Sequence, residues 1–169
     1  MAHTPRRIVT GHDAEGKSVF VIDAPPTPFG AYWLTEATPA DNTGSGDAGL
    51  QVRKLEPPPS GSIFRFAAIP PEDPNVSREE RERQTAKMFA QMDAAHCRPD
   101  TARHPGMHKT RTIDYIVLLS GEVTLLLDED EVDLKPFDVV VQRGTNHAWV
   151  NKGKEPALIA AVLIDAKDV

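Results

Sequence analysis

The chain has 169 residues, 40% of them hydrophobic, which is enough to bury the core of one domain. Its 25 acidic residues outnumber its 19 basic ones for a formal net charge of −6, and the basic residues are scattered, which argues against a nucleic-acid surface. No apolar run approaches the roughly 18 residues that a membrane span requires, and one cysteine, Cys97, excludes an internal disulfide framework.

Residues 1–7 lack the apolar stretch of a signal peptide, so together with the single cysteine they predict a cytoplasmic protein. Short β-type runs follow at residues 7–10, 18–22 and 30–34, the first two joined by turn residues between Gly11 and Gly16 into a hairpin. Residues 38–49 are rich in Gly, Asp, Ser and Thr and predict a mobile loop, and Pro57-Pro58-Pro59 is a stiff spacer. Residues 62–69 alternate as a strand and offer an edge for pairing with a second copy. Ser77 with Glu80 three residues later makes a capping box that opens the one helix. Thr85, Met88, Phe89, Met92 and Ala95 recur at helical spacing as a packing stripe, and Arg98-Pro99 ends the helix. Cys97 reads as a small buried residue at the helix end.

From about residue 101 the sequence is almost pure β. Strands are predicted at 113–119, 122–127, 132–134, 139–141, 148–150 and 158–165, separated by Gly, Asp and Asn turns. The prediction is an all-β, antiparallel barrel with an N-terminal strand extension and one α-helix before its core. All of 1–169 forms one domain, with 1–100 packing on a barrel made by 101–169.

Parity then singles out a face. His108, Thr110, Thr112 and Asp114 are even-numbered, and Ile116 and Leu118 continue their side as apolar residues, so this face points inward. A histidine and a carboxylate inside a barrel must be paired, hydrogen-bonded or bound to a metal. His147 lies past a glycine turn on a later hairpin, from which it reaches the same interior. Two histidines and a carboxylate match a facial triad with open positions for substrate or dioxygen.

These residues carry a resemblance. His108-Lys109-Thr110, Asp114 after three intervening residues and Gly121 after six more are similar to the first motif of the cupin superfamily. Gln142-Arg143-Gly144, His147 and Asn151 are similar to its second. The chain resembles the small cupins with one conserved barrel. The chain departs from the pattern in several places: Thr110 stands for the second histidine, Asp114 for the glutamate and Gln142 for the proline, while Phe137-Asp138 stands where Gly-Asp is usual, one residue closer to Gln142. The resemblance implies a double-stranded β-helix (jelly roll) and a divalent ion, Fe(II), Zn, Mn or Ni, on His108, Asp114 and His147, the same residues being catalytic. Thr110, Thr112, Trp149 and His104 are candidate substrate contacts, and His104 is also a candidate for the missing ligand. Small cupins also pair as homodimers, and Tyr115 and Arg111, with outward parity, are candidates for packing on the N-terminal strands or a second subunit.

Three functions follow. The first is a metal-dependent enzyme acting on a small organic molecule by lyase, isomerase or dioxygenase chemistry. The second is a metal-free enzyme using a His–Asp dyad as acid and base, as in epimerisation or dehydration. The third is a binding module without turnover, with no nucleic-acid or membrane partner.

Overall fold

The computed structural model describes residues 5–28, 30–44 and 46–167. Part of the 1–7 segment, Ser45 in the 38–49 loop and the last two residues lie outside that range.

β1 (Arg7–His12) and β2 (Ser18–Ala24) form a separate two-stranded hairpin. Gly11 belongs to β1, and the turn begins at Asp13, whose carboxylate accepts the amides of Glu15 and Lys17 at 3.0 and 2.9 Å. The hairpin is anchored by Arg7, buried and bidentate to Asp47. Asp47 in turn caps a short 3₁₀ turn, Ala48–Gln51, at the end of the predicted loop.

The barrel is made of two antiparallel sheets. β3 (Ala31–Thr35), β4 (Ser62–Ile69), β5 (Thr112–Ser120), β8 (Val139–Arg143) and β10 (Ala157–Asp165) assemble in the order β3-β4-β10-β5-β8. β6 (Val123–Leu126), β7 (Glu131–Leu134) and β9 (Ala148–Val150) make the order β7-β6-β9. The sheets face each other across one apolar cluster, with Ile116, Leu118, Ile159, Ala161 and Leu163 from the larger sheet against Val123, Leu125 and Leu134 from the smaller. This is the predicted antiparallel β architecture. Gly121, at φ +78°, turns β5 toward β6 where a Cβ would meet the Cα of Ala157 at 2.7 Å.

β5 keeps the predicted parity. Thr112, Asp114, Ile116 and Leu118 are buried, whereas Tyr115 on the opposite face is 52% exposed. β4 differs from expectation in its place in the sheet. It lies between β3 and β10, so it has no free edge to offer a second copy. Along the alternating strand the inward residues are Ile63 and Arg65, while Phe64 and Phe66 turn outward and stack with Tyr32 at centroid distances of 5.4 and 4.4 Å.

The helix α1 (Arg78–Gln91) starts as predicted, with the Ser77 hydroxyl accepting the Glu80 amide at 3.2 Å. It ends earlier than Arg98-Pro99. Asp93 adopts φ +52°, a left-handed conformation that aspartate tolerates, and a separate 3₁₀ turn follows at Ala95–Cys97. The expected stripe therefore does not run as one face: Phe89 is buried, but Met88 is 48% exposed and Ala95 lies beyond the helix. Among the described residues no helix is long and apolar enough to cross a membrane.

Candidate functional site

His108 stands four residues before β5, and His147 immediately precedes β9. The chain joins them by a two-residue antiparallel bridge, in which the His108 amide donates to the His147 carbonyl at 2.8 Å and the reverse bond is 2.9 Å. A bridge of this kind puts the two side chains on one side, and the ring centroids are 4.2 Å apart. Phe89 of α1 closes one end of the stack, 4.9 Å from the His108 ring, and Trp149 meets His147 edge-on at 5.7 Å. The neighbouring residues Met107 and Ala148, both fully buried, pack with Leu126 and Val150.

Backbone carbonyls fix both imidazoles. The Nδ1 of His108 lies 3.0 Å from the Gly106 carbonyl and that of His147 lies 2.9 Å from the Thr145 carbonyl. A carbonyl only accepts, so each Nδ1 is assigned the proton and each Nε2 keeps its lone pair. Neither Nε2 has a hydrogen-bond partner among the described residues. Burial favours the neutral rings: it lowers the His108 pKa, and burial plus the neighbouring His108 push that of His147 down to about 3. The pair thus presents two neutral, uncommitted nitrogen donors side by side.

Two flanking residues brace this arrangement. His104 accepts the Gly106 amide on Nδ1 at 2.9 Å and turns Nε2 to Glu72 at 2.8 Å, so both its nitrogens are engaged behind the turn that holds His108. Gln142, at the position where the motif has proline, donates to the carbonyl and hydroxyl of Thr145, the residue that fixes His147.

Asp114 lies on the inward face of β5 and bonds to neither imidazole. It faces Gln142 on β8 and Leu163 on β10. Its Oδ1 is buried without a partner, and burial pushes its pKa up to about 6 against the opposing pull of the Thr112 hydrogen bond and the Arg65 guanidinium. Arg65 is itself buried, donates to the Lys54 carbonyl at 2.9 Å and leaves Nε unpartnered. Thr110 and Thr112, both buried, share a 2.7 Å hydroxyl bond.

The structure therefore brings His108 and His147 together, with Trp149 beside them. The ligand atoms of His108, Asp114 and His147 are not all within 4.8 Å of one another. Among the described residues, the trio that meets that distance is Glu56, His96 and Cys97. A divalent ion fits the histidine pair in protonation, with two neutral nitrogen donors at two coordination positions. Sequence reasoning missed Arg65, Glu56 and the bracing role of Gln142. Arg65 shares parity with Ile63 and Ala67 and sits between two phenylalanines, so alternation alone does not show which side is buried.

The cupin-domain family model matches residues 96–163. Over 165 residues the chain is 33% identical to "Phomopsin biosynthesis cluster protein C'" of Diaporthe leptostromiformis, covering 88% of this chain and 71% of that protein. The chain belongs to the cupin family. A second relative of this cupin, 28% identical over 181 aligned positions, is "Cupin-domain-containing oxidoreductase virC" of Hypocrea virens, with 96% of this chain and 77% of that protein covered. A solved structure, a cupin 2 conserved barrel domain protein from Salinispora arenicola, aligns at 15% identity and a TM-score of 0.39, covering 62% of this chain and 64% of that one.

Proposed function

We propose that this cupin is an enzyme that transforms a small organic molecule at the His108–His147 pair, with a divalent metal ion held on the two Nε2 atoms. The observation that carries the reading is the pair of contacts from each Nδ1 to the Gly106 and Thr145 carbonyls, which assigns the protons to Nδ1 and leaves both Nε2 lone pairs free. Imidazole donors suit Fe(II), Zn or Ni, and Mn is tested alongside. Such an ion supplies a Lewis acid with positions open to substrate. Relatives named cupin-domain-containing oxidoreductases support an enzyme over a passive binding module.

In this reading the other residues divide the remaining work. Phe89 and Trp149 wall the pair and exclude water. The imidazoles bind and orient rather than serve as bases, because burial lowers the basicity of both. Asp114, with an unpartnered oxygen and a pKa raised toward neutrality, is the group fitted to hold or release a proton. Thr110 and Thr112 offer hydroxyls on the same inward face. The His–Asp dyad loses support, since both Nδ1–H groups go to backbone carbonyls and neither imidazole bonds to Asp114. Exposed Tyr115, Val139 and Val141 on the outer face of the larger sheet support a homodimer through that face.

The test is the metal content of purified protein, measured for wild type, His108→Ala and His147→Ala in a Cys97→Ser background. One ion per chain that is lost in both histidine variants is expected. Protein that neither carries nor takes up Fe(II), Zn, Mn or Ni would overturn the metal reading.

A further inference from the structure

Away from the histidine pair, three side chains of different chemistry converge where the linker before β4 meets the turn after α1. The Sγ of Cys97 is 3.5 Å from the Nε2 of His96, and that nitrogen is 2.9 Å from the Oε2 of Glu56. Tetrahedral zinc, with bonds of about 2.3 Å to sulfur and about 2.0–2.1 Å to nitrogen and oxygen, separates its ligands by about 3.6 Å (S to N) and about 3.3 Å (N to O). The first separation is already present. The second needs an opening of about 0.4 Å, the difference between that ideal value and the observed contact. His96, 66% exposed on its turn, is free to supply it.

The two other ligands are held. The second oxygen of Glu56 accepts the Arg111 amide at 2.8 Å, which leaves Oε2 directed at His96. Cys97 is 1% exposed, its amide donates to Ala94 at 3.0 Å and its carbonyl accepts the Lys109 amide at 2.7 Å. Glu56 and His96 also line a cavity of about 770 Å³, bounded in part by Val52, Pro58 and Ile63. The nearby Lys54 is neutralised by Asp93 at 2.7 Å, so it does not oppose a cation.

We propose that Glu56, His96 and Cys97 form a binding site for a thiophilic divalent ion, Zn(II) by donor set, with its remaining position open to this cavity. Binding converts the Cys97 thiol to thiolate and releases one proton to solvent. The thiolate and the Glu56 carboxylate then balance the two charges of the ion, so the partly buried site is neutral overall.

Cobalt(II) titration of the full-length, metal-stripped protein tests the site, because thiolate coordination gives a near-ultraviolet charge-transfer band that histidine ligands alone cannot give. One equivalent should develop the band together with tetrahedral visible bands, and Zn(II) should displace it. Cys97→Ser should abolish the band, and His96→Ala and Glu56→Gln, both at accessible positions, should weaken binding at least tenfold. His108→Ala and His147→Ala should leave it unchanged. Cobalt bound without the band, or a band that survives in Cys97→Ser, would overturn the proposal. Uptake confined to His108 and His147 would do so while leaving the function proposed above intact.

Discussion

Replacing Asp114 with asparagine should stabilise this protein, and the gain should depend on pH. Asp114 is 4% exposed, and burial raises its pKa from 3.8 to about 6 even with Arg65 and Thr112 pulling it down. Each pH unit is worth about 1.4 kcal/mol, so at neutral pH the ionised carboxylate costs the folded state about 3 kcal/mol relative to its protonated form. The folded chain holds the proton more tightly than the unfolded one, so this cost is absent below about pH 4, grows through about pH 6 and is complete above it. Asn has the same shape and no charge. Urea unfolding of wild type and Asp114→Asn at about pH 4 and about pH 8 should therefore show near-equal stability in acid and an advantage of about 3 kcal/mol for the variant in base. A variant that is less stable by the same amount at both pH values would refute the reasoning. It would mean that the carboxylate stabilises the fold through Arg65 rather than being kept at a cost.

Other perturbations probe the histidine pair. The depressed pKa of His147, about 3 in the folded state against an ordinary 6.5, contributes stability that is complete above pH 6.5 and is lost as pH falls toward 3. The full loss is up to about 5 kcal/mol, and His147→Leu should remove most of this acid limb from a pH series of unfolding curves. An unchanged acid limb would contradict the burial argument. Phe89→Ala takes out the buried ring against His108 and the partner of the Arg98 guanidinium, 5.7 Å above it. A cost of about 3–5 kcal/mol by denaturant titration is expected, and a cost near zero would place Phe89 outside the core. Gln142→Ala frees the Thr145 carbonyl that orients His147. It should weaken metal binding about 10- to 100-fold with little change in unfolding midpoint, which calorimetric titration can separate from a folding defect.

Much of this arrangement was legible from local rules. Period-two parity on β5 placed Thr112, Asp114, Ile116 and Leu118 inside, and glycine turns located the strands well enough to foresee His108 and His147 sharing an interior. The capping box at Ser77 marked the helix start because that signal lies within four residues. What failed to show was set by distant contacts. Asp93 ends α1 early through a left-handed residue that the spacing of Met88, Phe89 and Met92 does not reveal. Arg65 points inward because β4 pairs with β3 and β10, which lets Tyr32 cover Phe64 and Phe66 on the outside. Glu56 meets His96 across 40 residues, a proximity that no motif spacing encodes.

The central claim rests on the proton positions of two imidazoles, and nitrogen-15 NMR of the histidine side chains reads them directly. At neutral pH, His108 and His147 should both show a protonated Nδ1 and an unprotonated Nε2, and one equivalent of Zn(II) in a Cys97→Ser background should shift both Nε2 signals while those of His104 stay put. Protonated Nε2 atoms, or signals indifferent to Zn(II), Fe(II), Mn(II) and Ni(II), would contradict a metal centre on this pair.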